Sequence, residues 1–449
     1  MKSINPYTGE TIQTFTQFTP SQVSASITKA HEAFFSWKKT SFSERSNLMR
    51  SVAKGLREHK DKYAKTMTLE MGKPIAQAKA EIDKCAWLCE YYADTAEQHL
   101  TTKIIKTDAA KSYVNYEPIG VVLAVMPWNY PFWQVFRFIV PALMAGNVGV
   151  LKHASNVMGC AELIEAVFIN AGFPKHCFQN LPINSSKVEA IIRHKHIKAV
   201  TLTGSKPAGS MVASVAGEEI KKSVLELGGS NALVVFKDAE IDNTVATCVQ
   251  ARFQNTGQSC IAGKRLLLHK SIEEEFIEKL KKEVIALKSG NPLEEDTYIG
   301  TMAREDLAEE LEEQLKASVK EGAKILIGGK RTNAYFEPTI VTNVTPEMSI
   351  FKEETFGPVL SVTTFNTDAE AVDLVNQSDF GLGVSIFTEN DSKIEKLIPL
   401  FEDGAVFVNE LVKSDPRLPF GGTKISGYGR ELSEDGIKEF VNKKTVYIK

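Results

Sequence analysis

The chain has 449 residues, with 53 lysines and arginines against 56 aspartates and glutamates and a formal net charge of −3. At roughly 100–200 residues per domain this length predicts two or three domains with large cores, and the balanced charge excludes a search for nucleic acid or an acidic membrane driven by overall electrostatics. A 24% charged fraction with ordinary glycine and proline counts excludes a disordered or collagen-like chain.

Apolar positions at three- and four-residue spacing predict helices over 25–37, 43–59 and 73–96. Strands at 103–106 and 112–116 follow, with Thr107, Asp108 and Ala109 as the turn between them. The stretch 118–151 holds a single charge, Arg137, and exceeds the ~20 apolar residues that a membrane span requires. Pro127, Pro131, Pro141, Gly146 and Gly149 break it, so it reads as a buried strand, a turn, a short buried helix and a second strand. From 120 the pattern strand, turn, helix repeats: GVVLAVMPWN (120–129) before a helix at 132–143, VGVLKHAS (148–155) before one at 157–170, and KAVTLTGS (198–205) before one from about 207. SVLELGG (223–229) leads on to NALVVF (231–236). Such alternation implies a parallel sheet covered on both faces. A second series follows, with strands at 265–268, 324–327, 357–365, 384–387 and 404–408 and helices at 272–288 and 305–321. The final TVYIK is a lone strand that pairs with the 103–116 patch or with another subunit. The fold class is therefore α/β: two doubly wound α/β domains plus a small β appendage.

Six cysteines stand at 85, 89, 160, 177, 248 and 260. None forms a CxxC pair, so neither a disulfide framework nor a thiolate metal site is expected. The first residues lack the basic-then-apolar layout of a secretory signal. Free thiols with no such signal favour a cytoplasmic location.

Five segments can carry chemistry. In FQNTGQSC (253–260), residues that favour turns precede Cys260, which presents it as a nucleophile; the plainer alternative is a small buried thiol. Glu226 ends an apolar strand and is followed by Gly228 and Gly229, where a partly buried carboxylate suits a general base. Asn129, in a turn between two prolines, can donate its amide to a developing oxyanion or merely serve the turn. TLTGSKPAG (201–209) places a Gly-Ser turn at a helix start, and Lys152 ends a strand; both suit a cofactor phosphate or ribose, but neither is a glycine fingerprint.

PWN (127–129), LK followed by HAS (151–155), TGS (203–205), ELGG (226–229), NTGQSC (255–260), EETFGPV (353–359) and PFGGTKISGYGRE (419–431) stand in one order and spacing. That series resembles the aldehyde dehydrogenase superfamily over nearly the whole chain. The segments WNYPFWQVFR (128–137) and SDPRLPFGG (414–422) are similar to the short, bacterial-type succinate-semialdehyde dehydrogenases. The resemblance implies that Cys260 attacks the aldehyde to give a thiohemiacetal and then a thioester. Asn129 and the Cys260 N–H would form the oxyanion hole, and Glu226 would activate the hydrolytic water. It implies cofactor contacts at Trp128, Lys152, Ser155, Gly204, Ser205, Leu227, Glu354 and Phe356. It also implies a cofactor domain over 1–97 and 119–227, a catalytic domain over 228–430, and an oligomerisation appendage over 98–118 and 431–449 that makes a homodimer or homotetramer.

Departures from the pattern sharpen the reading. Ser155 stands where many NAD-preferring members carry an acid, and Ser155 with Lys152 can both donate to a 2′-phosphate, so NADP is expected as the preferred cofactor and NAD as the alternative. Ala262 replaces a second cysteine found in some relatives, which argues against a regulatory disulfide there and leaves Cys260 itself as the oxidisable thiol. Arg137, on the helix after Asn129, can bind a distal carboxylate bidentately, with Ser414 as a second contact implied by the resemblance. The plain alternative for Arg137 is a buried ion pair. Gln254 takes the place of an arginine in some succinate-semialdehyde enzymes, and Arg252 nearby need not face the site. The expected substrate is a small aldehyde, first of all succinate semialdehyde, otherwise another aliphatic or aromatic one. No metal is expected. A CoA-acylating enzyme lacks a reason to keep Glu226, a cofactor-free cysteine hydrolase lacks a histidine motif, and a non-catalytic role sits poorly with Cys260, Glu226 and Asn129 together.

Overall fold

A computed structural model describes residues 1–449. The first sheet has six strands in the order Gly427–Tyr428, Lys222–Glu226, Ile197–Thr203, Val121–Met126, Val148–His153 and Phe178–Asn180; all are parallel except Gly427–Tyr428. The second has seven, in the order Lys324–Ile327, Thr339–Thr342, Val359–Phe365, Gly263–His269, Asn231–Val235, Val384–Phe387 and Val406–Val408, with Lys324–Ile327 alone antiparallel. Both are apolar along their central strands because helices cover both faces, as parallel pairing demands.

The 118–151 stretch folds as its proline and glycine breaks predict: strand Val121–Met126, a turn, helix Trp133–Met144 and strand Val148–His153. Every residue of that helix is buried, Arg137 included, and no helix is long and apolar enough to cross a membrane. The N-terminal helices run Pro20–Trp37, Phe42–Glu58 and Ile75–His99. The first two start in capping boxes, Thr19 with Gln22 and Ser41 with Glu44, in which each N-cap side chain accepts from a backbone N–H that would otherwise be orphaned. A further helix, Lys60–Met71, fills what the periodicity leaves as a gap; it ends on Gly72 in the left-handed conformation. Its sequence carries three lysines against four buried apolar positions, too weak a stripe to stand out.

TVYIK lies within the strand Val441–Ile448, which pairs antiparallel with Lys111–Pro118 of the same chain; Lys103–Ile104 completes a three-stranded sheet. Before reaching it the chain returns to the first unit. Gly427–Tyr428 adds to the edge of the six-stranded sheet, and helix Ser433–Lys438 packs on Ile75–His99 and Trp133–Met144. Residues 412–438, assigned by the sequence reading to the second domain and the appendage, thus also cover the first.

In the six-stranded sheet the chain runs outward from Val121–Met126 to Val148–His153, then crosses to Ile197–Thr203 on the other side. This switch point opens a crevice at the carboxyl ends of the strands, where Trp128, Asn129, Gly204 and Ser205 follow their strands directly.

Candidate active site

Cys260 sits on a loop that the chain holds under strain. Helix Ile241–Phe253 ends and Asn255 (φ 55°), Thr256 (φ 53°) and Gly257 (φ 72°) follow in the left-handed region. For Asn and the β-branched Thr this costs roughly 1–3 kcal/mol each, so the surroundings must enforce it. The Asn255 amide nitrogen donates to the carbonyls of Asn129 (2.9 Å) and Gln258 (3.0 Å), and Thr256 Oγ1 accepts from the Gly300 N–H (3.1 Å). Gly257 has no substitute: a Cβ there would lie 2.4 Å from the Gly357 carbonyl oxygen.

Two buried cations clamp the loop from below. Arg252 donates to the carbonyls of Val359 (2.7 Å) and Thr355 (3.0 Å), so it ties loops together and does not line the cavity beside Cys260. Lys264 Nζ donates to the carbonyls of Ser259 (2.8 Å), Cys260 (2.9 Å) and Gly229 and to Glu354 Oε1 (3.0 Å). Of the six cysteines, five are buried and Cys260 alone is half-buried. Burial pushes its thiol up to about 11, against the pull of Arg137 and then Lys264.

Asn129 is pinned beside this loop. Its Oδ1 accepts from Gln134 Nε2 (3.0 Å), which orients the amide, and its Nδ2 donates to the Gln258 carbonyl (3.1 Å), leaving one N–H unused. Gln134 is thus an orienting residue that sequence reading missed; its place in the first turn of the helix Trp133–Met144, five residues after Asn129 in a mostly apolar run, is the signal. Gln134→Ala should lower kcat by about 10–100-fold, less than the roughly 10²–10³-fold for losing an oxyanion donor outright. Steady-state kinetics of Gln134→Ala beside Asn129→Ala would check this order.

Glu226, at the end of the strand Lys222–Glu226, is 2% exposed, and neither carboxylate oxygen has a hydrogen-bond partner. Burial, then repulsion from Glu431, raises its pKa well above the ordinary carboxylate range. Arg137 Nε lies 2.7 Å from Glu431 Oε2, off the hydrogen-bond direction, with both side chains buried and the guanidinium stacked on Phe420. This is the ion pair that the sequence leaves as the alternative for Arg137. Glu431, near the end of the PFGGTKISGYGRE motif, is the partner that no local pattern marks.

Two cavities meet at Cys260. One, of about 170 Å³, is lined by Trp128, Asn129, Gly204, Ser205, Leu227, Glu354 and Phe356 among others. Glu354 accepts from the Gly229 N–H (3.0 Å), and Gly228 lets it approach: a Cβ there would lie 2.3 Å from Glu354 Oε2. The ring of Phe356 stands edge-on to Trp128. Lys152 and Ser155 lie outside this lining, at and just past the end of the neighbouring strand; Lys152 pairs with no carboxylate, and burial lowers its pKa. The second cavity, of about 390 Å³, is lined by Trp133, Arg137, Gln254, Ser414 and Phe420 among others. Glu226 lines neither, and no hydrogen bond ties its carboxylate in place.

A thiol shared by a crevice at a switch point and a second cavity suits a two-substrate reaction at one sulfur. The family model described as the aldehyde dehydrogenase family matches residues 1–446. The chain belongs to the aldehyde dehydrogenase family. This aldehyde dehydrogenase is 48% identical over 449 residues to a protein of Synechocystis sp. named a probable succinate-semialdehyde dehydrogenase (NADP(+)), covering 99% of each chain. It is 46% identical over 452 residues to succinate-semialdehyde dehydrogenase (NADP(+)) 1 of Mycobacterium tuberculosis, again 99% of each. Among solved structures it superimposes with a TM-score of 0.97 on succinic semialdehyde dehydrogenase from Streptococcus pyogenes in complex with NADP+, at 35% identity over 100% of this chain and 99% of that one.

Proposed function

We propose that this aldehyde dehydrogenase oxidises succinate semialdehyde to succinate with NADP as the preferred cofactor and NAD as the alternative. The observation that carries the reading is the meeting of two cavities at Cys260, the second holding Arg137 and Ser414 in a wall of mixed polar and apolar side chains. The names of the Synechocystis, Mycobacterium and Streptococcus relatives support the same substrate and cofactor.

In this mechanism the Cys260 thiolate attacks the aldehyde carbon, and the oxygen takes the negative charge as the C–S bond forms. Asn129 donates its unused N–H to that oxygen, in an orientation set by Gln134. A bound nicotinamide cofactor would supply the hydride acceptor that turns the Cys260 thiohemiacetal into a thioester. Gly204, Ser205, Leu227 and Phe356 would hold it, Glu354 would take a ribose hydroxyl, and Trp128 would close the cavity against water. Glu226, whose pKa burial raises, acts as the carboxylate: it takes a proton from the water that attacks the thioester carbon, and the Cys260 sulfur leaves as the thiolate. Lys152 and Ser155 would meet the 2′-phosphate. Ser155→Asp should therefore lower kcat/KM for NADP by at least about tenfold relative to NAD, since a carboxylate repels the phosphate; a tenfold preference for NAD in the unaltered protein would overturn the assignment.

A second reading, a dehydrogenase for other small aliphatic or aromatic aldehydes, is favoured by the Arg137–Glu431 ion pair, which engages the guanidinium inside the protein. Following NADPH and NADH absorbance over a panel of aldehydes that includes succinate and glutarate semialdehydes decides between them. We place the enzyme in the cytoplasm as a homodimer or homotetramer. Six unpaired cysteines support the first, and exposed Ile104, Tyr447 and Ile448 on the three-stranded sheet support the second.

A further inference from the structure

The substrate-side cavity contains a cation that neither the motifs nor the resemblance marks. Lys84, in the middle of helix Ile75–His99, lines that cavity with Arg137 and Ser414. Its Nζ donates to Ser414 Oγ (3.1 Å) and stands 4.3 Å from the centre of the Trp133 ring. The Trp133 Nε1–H donates to the same oxygen (3.0 Å). Ser414 Oγ therefore accepts from both neighbours and keeps its own O–H for a ligand, and the ammonium keeps two of its three donors.

The charges around it are spoken for. Arg137 is paired with Glu431. Glu81 is paired with Lys73 and accepts from the N–H groups of Phe132 (3.0 Å) and Trp133 (2.9 Å). Asp415 is paired with Arg417, and Glu410 with Lys413. Lys84 has no carboxylate partner, so it leaves this cavity one uncompensated positive charge. Burial, then repulsion from Arg137, pulls it down to about 8, which is the behaviour of an ammonium waiting for an anion.

From this placement we infer that Lys84 is a specificity-determining residue: with Ser414 it binds the distal carboxylate of the aldehyde substrate. Arg137 then shapes the wall while its charge is largely spent on Glu431. A carboxylate that reaches the Ser414 hydroxyl necessarily meets the ammonium bonded to the same oxygen. The inference rests on the anionic-aldehyde reading above and assigns the carboxylate to a particular cation within it.

The test compares kcat/KM for succinate semialdehyde with that for butanal, an uncharged aldehyde of equal length, in the unaltered enzyme and in Lys84→Met and Lys84→Arg. Loss of a charge-assisted hydrogen bond should cut the anionic-to-neutral ratio about 10–100-fold in Lys84→Met, chiefly through KM, with much of it regained in Lys84→Arg. A merely structural lysine would change both aldehydes alike and leave the ratio intact, which would overturn the inference. The unaltered enzyme supplies a measurement free of folding effects: KM for succinate semialdehyde should rise above about pH 8, as Lys84 loses its proton, while KM for butanal should not. A flat ratio across that range would count against Lys84 equally. An unaltered enzyme with no preference for the anionic aldehyde overturns the substrate reading and this inference together; a preference that Lys84→Met retains overturns Lys84 alone.

Discussion

Cys260→Ala is expected to lower aldehyde oxidation by on the order of 10³-fold or more, because no other thiol reaches either cavity. Initial rates of NADPH formation measure the loss, and a variant that keeps full activity would refute covalent catalysis. The Cys260 thiol also has a signature in pH. Burial holds the thiol near 11, above Cys260's usual range, so the free enzyme carries little thiolate at neutral pH. The thiolate fraction, and with it the rate of inactivation by iodoacetamide, should therefore rise about tenfold per pH unit between pH 7 and 9.5 without a plateau. A midpoint near 7 would mean that Arg137 and Lys264 outweigh burial.

Glu226→Gln should separate the two halves of the reaction. The glutamine cannot take a proton from water, so thioester hydrolysis should slow by roughly 10²–10⁴-fold while acylation survives. Rapid mixing would then record a burst of about one NADPH per active site followed by a slow phase. An equal loss in both phases would show that Glu226 acts earlier, on the thiol. In the unaltered enzyme the base works only when ionised, and its pKa is raised by burial and by Glu431. The hydrolytic step should accordingly fade as pH drops through that raised value. Glu431→Gln removes one of the two causes, so the acid limb of the profile should move to lower pH.

Local chemistry was enough to single out the candidate positions, because each stands at an element boundary. Asn129 follows a strand between two prolines, Glu226 ends an apolar strand before two glycines, and Cys260 follows a turn that the chain marks with Asn, Thr and Gly. The parallel sheets were legible for a similar reason: strands buried on both faces are apolar without alternation. Helices Lys60–Met71 and Ile241–Phe253 were not, since their buried stripes are interrupted by polar residues that find partners elsewhere in the fold. Arg252 shows the same limit. From its position it is merely near the nucleophile, whereas the fold buries it against the carbonyls of Thr355 and Val359.

The balanced composition excluded capture of an anionic substrate by overall charge and left recognition to single side chains. Arg137, the one charge in a long apolar stretch, was the visible candidate. What the sequence alone determined is the family and the alternation of strands and helices, because these depend on local patterns and on motifs in fixed order. Tertiary structure alone decided which charges meet: it brought Glu431 onto Arg137 from 294 positions along the chain and Ser414 onto Lys84 from 330. A charge pair's energy depends on distance and burial, not on separation in sequence, and so no reading of the residues in line could say which cation was left free.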